Sequence, residues 1–126
     1  MKIINYTQGS DLALGIKFRD YNGGPLDLST CKYSIILFTD CGGGYVKVID
    51  GVSQGTIECN TVGGLGVLHV LCKSSAVLFG KGPLKMRLRL AIPNPDFEGG
   101  WQVLVFKSLR DCGGGFFEAE TNLVIV

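Results

Sequence analysis

Residues 11–40 carry two apolar limbs of period two on either side of a glycine–proline turn, a pattern that suits strand, ordered turn, strand. In the first limb Leu12, Leu14, Ile16 and Phe18 occupy alternate positions, with Asp11, Ala13, Gly15, Lys17 and Arg19 between them. The link is Asn22-Gly23-Gly24-Pro25, in which glycine accepts positive φ and proline fixes φ. In the second limb Tyr33, Ile35 and Leu37 alternate, and Ile36 and Phe38 are apolar too. That limb therefore reads as a central strand covered on both faces.

The same reading extends along the chain. Residues 2–6 form a short edge strand, and 45–49 and 56–59 are further strands. Residues 67–72 are apolar except for His69 and read as a buried strand. Met86, Leu88, Leu90 and Ile92 alternate with Lys85, Arg87, Arg89 and Ala91, as expected for a strand with one wet face. Residues 93–100 are a hairpin loop, 101–106 a strand, 108–115 a turn and 116–126 a last long strand. Ser74, a short apolar run and Gly80 predict one helical turn near 74–80. The sum is one all-β domain over residues 1–126, with about eight or nine short strands.

Composition excludes several classes. With 126 residues, 46% hydrophobic and 18% charged, the chain can bury a core without metal or disulfides. A net charge of +1 and scattered basic residues argue against a nucleic-acid partner. No apolar run reaches the ~18 residues of a membrane span. The start of the chain turns polar too early for a secretory signal, so cytoplasmic synthesis is expected. Nineteen glycines in turn-like clusters favour many tight turns.

Five cysteines, Cys31, Cys41, Cys59, Cys72 and Cys112, form an odd set without C-x-x-C spacing, and they read as free thiols. Together with His69 they lack the knuckle spacing of a zinc site, so no metal and no other cofactor is expected. An echo links Asp40-Cys41-Gly42-Gly43-Gly44-Tyr45 to Asp111-Cys112-Gly113-Gly114-Gly115-Phe116. It reads as two similar hairpin tips. A sharper alternative brings Cys41 and Cys112 together to bond or to bind a metal.

Catalytic motifs are missing. There is neither a G-x-x-x-x-G-K-[ST] loop nor a G-x-S-x-G elbow, and Gly63-Gly64-Leu65-Gly66 is not followed by a helix. Asp96 and Glu98 lie in a proline–glycine loop, which suits solvated carboxylates better than acid–base work. The chain is expected not to be an enzyme. A thiol- or metal-dependent enzyme would require cysteines clustered near His69.

The first unit, with Asp20, Gly23, Pro25, Asp27, Leu28 and Ser29 between its two strands, resembles the amino-terminal domain of phage upper baseplate proteins. Gly80-Lys81-Gly82-Pro83 ahead of a strand resembles the turn that introduces that domain's penultimate hairpin. The resemblance implies an immunoglobulin-like antiparallel β-sandwich used as a structural module of a virion, in a baseplate, tail or head connector. It further implies synthesis in a bacterial host's cytoplasm, other virion proteins as partners and a homo-oligomer. The strand edges to watch are 2–6 and 122–126. Tyr21, Phe97 and Trp101 are candidate interface contacts. The alternative is a carbohydrate-binding or adhesin-type sandwich, in which Asn94, Asp96, Phe97 and Trp101 would stack on and hydrogen-bond a sugar.

Overall fold

A computed structural model describes residues 3–19, 23–73, 79–104, 110–113 and 115–126. Eleven strands are present among them: β1 (Ile4–Tyr6), β2 (Leu12–Lys17), β3 (Lys32–Phe38), β4 (Val46–Ile49), β5 (Val52–Ser53), β6 (Cys59–Gly63), β7 (Val67–Cys72), β8 (Gly82–Pro93), β9 (Trp101–Leu104), β10 (Arg110–Gly113) and β11 (Phe116–Ile125). They form two sheets, one of eight strands and one of three, in an all-β sandwich.

The long strand β8 is the axis of the larger sheet. One edge pairs with β3, from Lys85↔Phe38 to Ala91↔Lys32. Its other edge is shared, with β11 along the first half and β9 along the second. Beyond β3 lie β4 and β5, and beyond β11 lie β1 and β10. The smaller sheet runs β2-β7-β6, all antiparallel.

Period-two patterning accounts for the core. Leu84, Met86, Leu88 and Leu90 of β8, Ile35 and Leu37 of β3, and Val46 and Val48 of β4 face inward and are buried. Leu12, Leu68, Val70 and Cys72 of the smaller sheet meet them across the sandwich. Each such side chain contributes roughly 1.5–3 kcal/mol by leaving water. Tyr33 hydrogen-bonds Thr61 through their hydroxyls at 3.0 Å, linking β3 of one sheet to β6 of the other.

The turn chemistry is specific. Asp50 (φ 49°) and Gly51 (φ 84°) join β4 to β5 as a two-residue hairpin turn. Asp27 Oδ1 accepts the Ser29 amide at 3.0 Å and the Ser29 hydroxyl at 2.6 Å, capping a 3-10 turn over Leu28–Thr30. That turn docks on the β6–β7 loop. The Leu28 amide donates to the Gly64 carbonyl, the Gly66 amide to that of Leu26, and the Phe18 amide to that of Gly66.

Five expectations need correction. Residues 56–59 do not form a strand. The Gln54 and Ile57 amides donate to the Lys47 and Tyr45 carbonyls, so this segment follows β4 irregularly and drops Ile57 into the core. The strand proper starts at Cys59. β7 is not buried on both faces, because His69 and Leu71 are exposed. Part of the expected turn at 108–115 is strand β10, paired with β11. The end of β11 is not an edge, since it lies between β8 and β1, and β1 runs parallel to it. β5 and β10 bring the strands above the eight or nine expected. The helical turn predicted near 74–80 falls largely outside the described residues.

Gly66 adopts φ +78°, and a Cβ there would lie 2.9 Å from Pro25 Cβ. Gly66→Ala should therefore lower stability by about 1–3 kcal/mol. Gly15→Ala, with only ordinary contacts at 3.8 Å and beyond, should stay within about 0.5 kcal/mol of the parent. Chemical denaturation of the two variants checks this.

Candidate functional site

Of the five contact residues proposed from sequence, Asn94, Asp96 and Phe97 share the loop between β8 and β9, and Trp101 opens β9. Asn94 Oδ1 accepts the Asp96 amide, and Asn94 Nδ2 donates to Gln102 Oε1, both at 3.0 Å. The Asn94 amide donates to the Gly100 carbonyl and the Phe97 amide to the Asn94 carbonyl, closing the loop on itself. Both ends of the Asn94 side chain are thus engaged within the protein. The Lys32 ammonium sits 4.4 Å from the centroid of the Trp101 ring, a cation–π contact that occupies one ring face. Phe97 and Asp96 are exposed. Tyr21 lies outside the described residues.

A second constellation lies at one end of the smaller sheet. Cys59 of β6 and Cys72 of β7 are directly opposed in register, beside Leu12 of β2. The Cys72 thiol donates to Cys59 Sγ at 3.5 Å. This hydrogen bond favours the Cys59 thiolate and pulls its pKa down, while the Cys72 pKa is pushed up by the same bond and by burial. A cavity of about 750 Å³ opens on the pair, and Asp11, Glu58, Asn60 and Lys73 also line it. His69 projects from the opposite face of β7, so the clustering that a histidine-assisted thiol would need is not formed.

The echo cysteines have separate surroundings. Cys41 lies in the β3–β4 loop near Gly82, and the Cys112 thiol donates to the Phe116 carbonyl at 3.2 Å. Cys41 thus sits in the hairpin connection between β3 and β4, and Cys112 within β10, which pairs with β11. Among the described residues no group of three or more metal-ligating side chains occurs.

The outer face of the smaller sheet is the third feature. Ala13 and Gly15 of β2, His69 and Leu71 of β7, and Asn60 and Val62 of β6 point outward in adjacent rows. Val62 is 51% and Leu71 45% exposed. Among the described residues Lys17 is the one formal charge within the strands of this face, and Asp11, Glu58 and Lys73 flank it at the other end. β2 and β6 each have a strand partner on one side only among the described residues.

The outer face of the larger sheet is polar. Glu118 is nearly buried between two arginines, with Arg87 Nε 2.9 Å from Oε2 and Arg110 Nη2 2.6 Å from Oε1. The Arg87 hydrogen bond, seconded by Arg110, holds the Glu118 carboxyl below its ordinary range. A lowered folded pKa contributes stability above the unfolded value of about 4.3, and that contribution is lost as pH falls through the folded value. Glu118→Gln should therefore cost about 1 kcal/mol at neutral pH, and the difference from the parent should vanish in acid. Thermal melts across a pH series measure it.

Comparison with known proteins adds no identity: no protein-family model matches the chain, and no curated protein or solved structure matches it.

Proposed function

We propose that the chain is a non-enzymatic structural and assembly module of a phage virion, of baseplate, tail or head-connector kind. It works by protein–protein contact, and a second copy of itself is its first partner. The observation that carries this reading is the apolar outer face of the smaller sheet, bounded by β2 and β6, each of which pairs on one side only among the described residues. Exposed apolar side chains grouped on one face mark contact surfaces. The centre of this face, around Ala13, Gly15, Val62 and Leu71, carries no charge among the described residues, and a chain with net charge +1 adds little long-range repulsion. Open edges at β2 and β6 offer backbone groups for strand addition.

The turn with Asp27, Leu28 and Ser29, from which the phage baseplate resemblance starts, is capped by its own side chains and docks on the β6–β7 loop. Among the described residues no helix is long and apolar enough to cross a membrane. Synthesis in a bacterial cytoplasm followed by incorporation into the particle fits this role.

Light scattering over a concentration series tests the reading. The expected outcome is a fixed oligomer whose association weakens roughly tenfold or more in Val62→Asp, with the β-sheet circular-dichroism spectrum unchanged. A monomer at every concentration would rule out self-assembly.

A further inference from the structure

We infer that Cys59 and Cys72 form a thiol–disulfide exchange site that takes a small disulfide from the adjoining cavity and closes to a cross-strand disulfide between β6 and β7. The inference is independent of the assembly reading and rests on three observations. The two cysteines are direct partners in the β6–β7 register. Their sulfurs touch at 3.5 Å, the one thiol–thiol contact among the described residues. Both line the same cavity of about 750 Å³. Bonding requires the sulfurs to close by roughly 1.5 Å, to the ordinary disulfide length. Neighbouring strands already hold the two Cβ atoms on one face, so side-chain rotation supplies most of that closure.

Access sets the order of events. Cys59 is half-buried, while Cys72 is 2% exposed and packs into the core. Cys59 therefore meets the incoming disulfide first. Its thiolate attacks one sulfur of a disulfide such as oxidised glutathione, forming a mixed disulfide and expelling one glutathione thiolate, which takes up a proton. Cys72 sulfur then attacks Cys59 Sγ, forming the internal disulfide and expelling the second glutathione, which leaves with the Cys72 proton. Two protein thiols lose two electrons and two protons, and one glutathione disulfide becomes two glutathione thiols. Lys73, Asp11 and Glu58 at the cavity give the charged ends of such a peptide disulfide partners of either sign.

The test uses the full chain, fully reduced, in a series of buffers poised with reduced and oxidised glutathione. Thiols are trapped by alkylation, and the linked peptides are mapped by mass spectrometry. The expected result is a Cys59–Cys72 linkage that forms ahead of every other pair, with a parent mass lower by about 2 Da. In Cys72→Ala, Cys59 should instead accumulate one bound glutathione. In Cys59→Ser, Cys72 should remain free and slow to alkylate. The inference is overturned if both thiols of the parent stay alkylatable in the most oxidising buffer. It is equally overturned by linkages scattered among the five cysteines, or by a mixed disulfide on Cys59 that never resolves in the parent. Should either variant fail to fold, the peptide map of the parent decides alone.

Discussion

The peptide groups of β8 impose the constraint on which the other strands depend. A strand of twelve residues with a buried face cannot leave its amides and carbonyls unpaired away from water. On one side β3 meets that demand over seven residue pairs. On the other no single strand does, so β11 and β9 divide the edge between them. β11 must then depart from β8 where β9 takes over. It also carries two extra residues between Glu120 and Val124, a bulge held by Thr121, whose hydroxyl donates to the Leu84 carbonyl and accepts the Leu123 amide. The remaining strands of this sheet extend outward from these three.

The smaller sheet answers a different need. The larger sheet presents an apolar face wider than one hairpin could cover, and β2, β7 and β6 together close it with Leu12, Leu68, Val70 and Cys72. Three strands suffice for the core but leave an uncovered back. That arrangement makes one face of β7 part of the interior and the other part of the surface, and it separates Cys72 from His69 although only two residues lie between them in sequence. The Cys72 thiol and the His69 ring thus lie on opposite sides of one sheet.

Legibility in the sequence followed the strength of the alternating pattern. β2 and β8 were readable because their inward and outward residues differ in kind, and β3 and β4 because their runs are rich in β-branched and aromatic residues. β7 was misread as buried on both faces because Leu71 is apolar yet outward-facing, and composition does not report which side a side chain takes. The thiol pair was missed for a related reason. Cys59 was taken as the end of a strand, whereas it begins one, because Asn60 is a weak strand former held in place by pairing with β7. A signal did exist: Cys59 and Cys72 stand symmetrically about the Leu65-Gly66 step, and a hairpin folded there sets them opposite each other. The contact loop was legible as a loop. Lys32 over Trp101 was not, because a cation–π contact between distant segments leaves no local trace.

The parallel pairing of β1 with β11 has a mechanical consequence. Ile4↔Leu123, Asn5↔Val124 and Tyr6↔Ile125 run side by side in the same direction, and the Gln8 amide donates to the Val126 carbonyl as the Val126 amide does to that of Tyr6. Tension drawing the start of β1 away from the end of β11 acts along the strands, across their hydrogen bonds. Those bonds then bear load in shear, all together, instead of opening one after another like a zipper. An antiparallel pair pulled from adjacent ends would peel apart. This geometry makes the β1–β11 seam a clasp against stretching, a useful property in a part through which force passes.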